Sequence, residues 1–366
     1  MWWPPCANAG PAENCMTDPS VYILGTAAVT PLGVTVRENC GALLEGRTCF
    51  TAPRHFDSRG RLLGVDFDLD GKGSSRMERL LGKLADSLDF AVPAGTRLFA
   101  ATTVGAIDLL EQGNEADTVQ DFLHLAERIF DIPGGILVSA ACASGQTAAA
   151  LAMRELRHGR CRHALVIGAD ITSEFVTAGF GALGALSRTV ARPYDKDRDG
   201  LTLGEGAAAL LLSCDGPGYG RLTAAAENCD AAHITSPDLS GGQLAAVCRE
   251  ALGGTPPGAV IGHGTGTVYN DQAEIAALQT VFPDGMPPLF SLKGNLGHTL
   301  GATGVLQLAL GLEFARRRLL PPQAGLVSPM PGAHVSNTPR SIETGRLLSL
   351  NVGFGGLNSA VALEAL

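Results

Sequence analysis

The stretch Ile136–Asp170, ILVSAACASGQTAAALAMRELRHGRCRHALVIGAD, decides how the chain folds. An apolar, strand-like run reaches Cys142, a helix of small residues begins directly after it and stops at Gly159, and Ala164–Gly168 is a second apolar run. A thiol at a strand-to-helix junction sits at the positive end of a helix, where free backbone N–H groups favour the thiolate. A lone cysteine in an apolar run is more often plainly buried. The role of Cys142 therefore depends on what else the chain brings to it.

Composition sets the bounds. The 366 residues are 45% hydrophobic, 17% charged and 5% aromatic, with 47 glycines, which suits a tightly packed α/β protein built as one double-sized domain or two similar halves. A net charge of −9 argues against a general nucleic-acid binder or an anionic-membrane binder. No apolar run approaches the roughly 18 residues that a spanning helix needs. The nine cysteines form no CxxC pair and are odd in number, so reduced thiols in the cytoplasm are the simplest expectation. The opening MWWPPCANAGPAENC has neither a basic nor an apolar signal region, so residues 1–18 are expected to be a disordered extension, with Met1 and Met16 both possible starts.

Working outward, Val21–Ala27 reads as a strand, Val36–Leu44 and Arg76–Leu88 as helices, Arg97–Thr103 as a strand and Asp117–Phe130 as a helix. After the central stretch comes a strand at Ala207–Leu212. The same order then returns. Arg221–Ala226, Ala259–Gly262, Leu289–Leu292, Leu347–Val352 and Ser359–Leu363 are strands, and Gln243–Leu252, Asp271–Val281 and Val305–Arg316 are helices. With Val36–Leu44 and Arg76–Leu88 taken as one helical step, each half reads strand, helix, strand, helix, strand, helix, strand, strand, which predicts two related halves, 19–215 and 216–366, packed with helix layers around buried strands. Loops at the strand ends would converge where the halves meet.

Four polar spots stand at the ends of apolar strands: Cys142, His263 in VIGHGTGT, Lys293 and His298 in FSLKGNLGHTLGATG, and the glycine-rich NVGFGGLN at 351–358. Singly, each has a plain structural reading: a core thiol, a satisfied histidine, a lysine paired with Glu274, a turn. Together they form a kit for thioester chemistry. A thiolate can be acylated, imidazoles can stabilise an enolate, and exposed backbone N–H groups can form an oxyanion hole. Nothing with metal-ligand or nucleotide-loop spacing (CxxC, HExxH, GxxxxGK[ST]) is present, so no cofactor is expected.

Seven spaced motifs carry a specific resemblance: ILGTAAVTPLG (23–33), ACASG (141–145), ARPYDKDRDGLTLGEGA (191–207), CDAAHITSPD (229–238), HGTGTVYNDQAE (263–274), SLKGNLGHTLGATG (291–304) and NVGFGGLN (351–358). In these the chain resembles the β-ketoacyl-[acyl-carrier-protein] synthases of the Cys-His-His elongating type. The resemblance implies a thiolase-like α/β fold of two duplicated halves in a five-layered α-β-α-β-α sandwich. It also implies decarboxylative condensation of an acyl group with malonyl-ACP in fatty-acid, polyketide or other secondary lipid synthesis. Cys142 would carry the acyl group, and His263 and His298 would promote decarboxylation. Lys293 would orient His298 and pair with Glu274, with Asp271 in support. The N–H groups of Cys142 and Phe354 would form the oxyanion hole, with Phe354 also a gatekeeper. Arg192, Asp199 and Glu205 fall in a mainly structural motif, and His233 in a site wall.

The implied partners are acyl carrier protein (ACP) and a second subunit, a homodimer or a heterodimer with a ketosynthase-like chain. Arg316, Arg317 and Arg318, or Arg76 and Arg79, are candidate docking cations for ACP. The chain departs from the pattern in being short between about Gly105 and Ile136, which suggests a specialised pathway. A thiolase is disfavoured because GFGGLN lacks a second reactive cysteine, and an initiating synthase because His298 is present. The alternative reading is a chain-length-factor-like, non-catalytic partner subunit, although such partners usually lose the cysteine.

Overall fold

The computed structural model describes residues 20–71 and 74–366; the extension expected at 1–18 lies outside them. The first half runs β1 (Val21–Val29), α1 (Val36–Leu44), α2 (Arg76–Asp86), β2 (Arg97–Ala101), α3 (Thr118–Phe130), β3 (Ile136–Val138), α4 (Ser144–Arg157), β4 (His163–Asp170) and β5 (Gly206–Ser213). The second runs β6 (Gly220–Cys229), α5 (Gly242–Leu252), β7 (Ala259–Ile261), α6 (Val268–Val281), β8 (Leu289–Phe290), α7 (Thr303–Arg317), β9 (Arg346–Gly353) and β10 (Leu357–Ala365).

The spatial order β3-β2-β4-β5-β1 in the first half becomes β8-β7-β9-β10-β6 in the second, each strand number raised by five. The directions match too. The three outer strands of each half are parallel, and the last two pair antiparallel. The halves join edge to edge where β1 meets β6 over three residue pairs, Val21↔Leu222 to Ile23↔Gly220. The duplication expected from element order is therefore a duplication of topology.

Burial explains the layers. The inner faces of both halves enclose α4 and α7, whose Ala148, Ala149, Ala152, Val305, Leu308 and Ala309 share one core with Phe99, Val166, Leu210, Ile261, Leu347 and Val361. Small residues let two helices and the two halves of the ten-stranded sheet pack this closely. Outside, α2 and α3 cover the first half through Met77, Leu80, Leu84 and Phe122. The other outer layer is α5 and α6, with Leu244, Val247, Ile275 and Leu278.

Two local expectations differ from the structure. The strand leading to the nucleophile stops at Val138, because Ala141 adopts φ 49 and turns the chain before Cys142. A helix at Glu174–Ala182, assigned to no element from sequence, forms because Ser173 caps it by accepting from the Val176 N–H at 3.2 Å. Its two glycines and its Val and Thr mask the helical signal.

Candidate active site

The four polar spots converge at one end of the strands. Cys142 follows β3 and His298 follows β8, equivalent strands of the two halves, and each precedes one of the paired middle helices. The duplication thus sets thiol and imidazole face to face, with His298 Nε2 3.0 Å from Cys142 Sγ. His263, after β7, stands edge-on to His298 with ring centroids 5.5 Å apart. All three are buried.

Hydrogen bonds settle both tautomers. The Leu300 N–H donates to His298 Nδ1 at 3.2 Å, so Nδ1 is an acceptor and the proton sits on Nε2. Lys293 Nζ donates to His263 Nδ1 at 3.3 Å and also to the His263 carbonyl, which places the His263 proton on Nε2 as well. Burial, and then the Lys293 charge, hold both imidazoles well below the ordinary histidine range. Two neutral rings thus each offer an N–H to the cavity.

Lys293 therefore positions His263, not His298; Glu274 makes no direct ion-pair contact with it among the described residues and acts on it as a nearby charge that opposes the lowering by burial. Glu274 has another task. It accepts from the His263 N–H at 2.6 Å, the Gly264 N–H at 2.9 Å and the Tyr194 hydroxyl at 2.9 Å. One turn earlier on α6, Asp271 accepts from the Thr265 N–H at 3.0 Å and the Gly266 N–H at 3.2 Å. Two carboxylates on one helix face thus hold four successive N–H groups of the loop, which accounts for the HGTG-to-Asp-to-Glu spacing. A Cβ at Gly262 would lie 1.9 Å from the Tyr194 hydroxyl, so only glycine fits beneath that ring.

The thiol differs from the expectation of a thiolate at a helix end. The helix begins two residues later, at Ser144, and burial pushes the Cys142 thiol up to about 12. Lys293 and the backbone N–H groups of Cys142 and Phe354 pull the other way. Both N–H groups thus act beside the thiol, where an acyl oxygen would develop charge. The Phe354 ring is exposed and stacks on Phe180 with centroids 5.6 Å apart; Phe180 in turn stands 6.5 Å from the His298 ring. A cleft of about 290 Å³ opens from Cys142, His263 and His298, walled by Phe180, Ile234, Thr265, Thr267 and Phe354.

The motif charges are paired. Glu205 takes Arg76 at 2.6 Å and Thr172, Asp199 accepts from the Ser187 hydroxyl at 2.7 Å, and Arg192 donates to the Asp197 carbonyl. His233 caps the 234–236 turn by accepting from the Thr235 and Ser236 N–H groups, and makes no contact with the catalytic pair. The fold takes up the Arg76 and Arg79 pair, while Arg316, Arg317 and Arg318 stay exposed. Arg76 is buried in its ion pairs, and Arg79 is bonded to the Leu69 and Ser74 carbonyls. Arg316 and Arg317 are tied to Glu313, at the far end of α7 from His298.

Family descriptions match this site. The N-terminal domain of β-ketoacyl synthases matches residues 131–215, and the C-terminal domain matches 219–327. The chain belongs to the β-ketoacyl synthase family. It is 29% identical to 3-oxoacyl-[acyl-carrier-protein] synthase 2 of Vibrio harveyi over 95% of this chain and 99% of that one. It is 28% identical to the granaticin polyketide putative beta-ketoacyl synthase 1 of Streptomyces violaceoruber over 94% and 98%. Among solved structures it is similar to the ketosynthase ApeO in complex with its chain length factor ApeC from Xenorhabdus doucetiae. That match has a TM-score of 0.85 at 26% identity over 97% of this chain and 100% of that one. The site thus brings together Cys142, His263, Lys293, His298, Asp271, Glu274 and Phe354 from the sequence reading, and adds Tyr194, Phe180 and Asp170, which that reading does not single out. Asp170 closes the stretch quoted at the outset, and a carboxylate at the end of an apolar strand was the signal for it.

Proposed function

We propose that this β-ketoacyl synthase joins an acyl group carried on Cys142 to malonyl-ACP, releasing CO₂ and 3-oxoacyl-ACP. The observation that carries this reading is the set of three donors around one thiol: the Nε2–H of His298 at 3.0 Å, the Nε2–H of His263 beside it, and the Phe354 N–H. In acylation the Cys142 sulfur attacks the acyl-ACP carbonyl. The developing oxyanion is held by the Cys142 and Phe354 N–H groups, and the carrier leaves as its thiol, with the proton that Cys142 gives up. In the second step malonyl-ACP loses CO₂, and the bonding pair moves into an enolate whose oxygen accepts from the two Nε2–H groups. The enolate carbon then attacks the Cys142 thioester and expels the sulfur as a thiolate, which takes a proton from solvent to restore the thiol. Removing one such donor typically costs about 10²–10³ in rate.

The similar ApeO–ApeC complex and the retained Cys142 together support an ACP-dependent enzyme that works as a dimer, with itself or with a ketosynthase-like partner. A non-catalytic partner role is disfavoured because Cys142, His263 and His298 line one cavity and Lys293 is bonded to His263 from behind. We place the enzyme in the cytoplasm on its odd number of cysteines and lack of CxxC pairs; no helix among the described residues is long and apolar enough to cross a membrane. We take residues 19–215 and 216–366 as its two halves. Intact-mass analysis after incubation with acyl-ACPs of varied length tests the reading. An acyl adduct on Cys142 that is discharged by malonyl-ACP is expected, and no adduct at any chain length would overturn it.

A further inference from the structure

At the end of β4, Asp170 is completely buried, yet none of the steps above uses it. Its Oδ1 accepts from the Thr102 hydroxyl at 2.7 Å and the Thr103 and Val104 N–H groups at 3.2 Å each. Its Oδ2 accepts from the Thr103 N–H at 2.9 Å and, across the two halves, from the Gly301 N–H at 2.7 Å. Burial raises the carboxyl to about 6 while these donors pull it down, so it is mostly ionised at neutral pH and can accept from all of them.

What lies beside the two ends of this clamp gives it meaning. Gly301 follows Leu300, which holds φ 50, a conformation disfavoured for leucine. In that conformation the Leu300 N–H reaches His298 Nδ1 at 3.2 Å and sets the tautomer. At the other end, the Thr103 hydroxyl donates to the Ala141 carbonyl at 3.1 Å, and Ala141, at φ 49, directly precedes Cys142. Each catalytic loop thus contains one left-handed non-glycine residue; Asp170 bonds the residue after Leu300 directly and reaches Ala141 through Thr103. A Cβ on Gly301 would fall 2.8 Å from Asp170 Oδ2, so only glycine permits this approach.

We infer that Asp170 is the positioning residue of the site: its carboxylate ties the His298 loop of one half to the 102–104 segment of the other, and through the Thr103 hydroxyl to the Cys142 loop, and holds His298 as a neutral Nε2–H donor against the sulfur. The inference rests on reading Cys142 and His298 as the reacting pair. In Asp170→Asn only one oxygen remains. If it stays with the three donors on the Oδ1 side, an NH₂ faces the Gly301 N–H, donor against donor, and the His298 loop is released.

The test reads the ring directly, by long-range ¹H–¹⁵N correlation on histidine-labelled full-length protein. This needs no substrate, so it separates failure of the inference from failure of the proposed reaction. The wild type should show the His298 proton on Nε2, and a proton on Nδ1 overturns the inference outright. In Asp170→Asn the Nδ1–H form should appear. Malonyl-ACP decarboxylation should lose about tenfold or more in kcat with KM within about threefold, and alkylation of Cys142 by iodoacetamide should slow by no more than about threefold. A folded variant that keeps the Nε2–H form and its kcat refutes it. So does parallel loss of decarboxylation, alkylation and thermal stability, the signature of a merely structural acid. Should Asp170→Asn not fold, Gly301→Ala opens the same contact from the other side and is read by the same measurements.

Discussion

The strand-like segment 201–204 grips His298 from both sides. The His298 N–H donates to the Thr202 carbonyl at 2.6 Å, and the Gly204 N–H donates to the His298 carbonyl at 3.0 Å. The grip depends on Gly204 having no side chain, because a Cβ there would stand 2.0 Å from the Leu296 carbonyl oxygen and 3.3 Å from Gly297 Cα. Both obstacles are backbone, so neither can swing aside. Reaching even 3.0 Å requires the two segments to part by about 1 Å, only two residues before His298. Where space allows, Gly→Ala stabilises by about 0.4–1 kcal/mol through the unfolded chain. Overpacking a closed site costs about 1–3 kcal/mol, so the net sign of Gly204→Ala is destabilising. A shift of about 1 Å in a catalytic group is worth roughly 10²-fold in rate. Gly204→Ala should therefore melt several degrees lower and lose about 10² in kcat for condensation, while acylation of Cys142 falls less. Thermal unfolding and steady-state assay with acyl-ACP and malonyl-ACP measure both. A variant with unchanged or higher melting temperature and a rate within about threefold of wild type would refute the reasoning.

Three other outcomes are expected. Cys142→Gln should abolish the acyl adduct and condensation while malonyl-ACP decarboxylation persists, since the two imidazole donors remain; loss of both half-reactions in a folded variant would contradict the division of labour. Lys293→Met should cost decarboxylation about 10²–10³ by freeing the His263 tautomer. Because burial lowers the Lys293 pKa, wild-type decarboxylation should also decline on the alkaline side, and an identical alkaline limb in the variant would argue against Lys293 as its source. His263 and His298 titrate well below the ordinary histidine range when folded. Below about pH 6.5 the unfolded chain therefore binds protons that the native state does not, and stability falls on acidification by up to about 1.4 kcal/mol per pH unit for each ring. Urea unfolding at pH 6.5 and 5.5 should show this slope reduced in His298→Asn; an unchanged slope would mean the ring titrates normally in the native state.

Much of the site was legible because its chemistry is local. An apolar strand ending in a reactive side chain beside glycine is readable at Cys142, His263 and His298. The spacing of Asp271 and Glu274 places both carboxylates on one helix face, whatever they hold. Partners were less legible, because a hydrogen bond across the halves leaves no periodic trace. Lys293 was assigned to His298, five residues away, but the fold turns its ammonium to His263, thirty residues back in the chain. Of the arginines offered as docking cations, the fold removes Arg76, which it buries between Asp70 and Glu205.

The sequence by itself determined the alternation of strands and helices, its repetition, and which side chains stand at the strand ends, because burial periodicity and turn chemistry act within a few residues. Only the tertiary structure decided the state of those side chains. It overlaid two copies of one topology, so that equivalent loops brought Cys142 and His298 to 3.0 Å. Burial then raised the thiol and lowered both imidazoles, since desolvation penalises whichever form is charged. The tautomers of His263 and His298 depend on donors from Lys293 and Leu300, whose reach is set by backbone turns that no single stretch of sequence encodes.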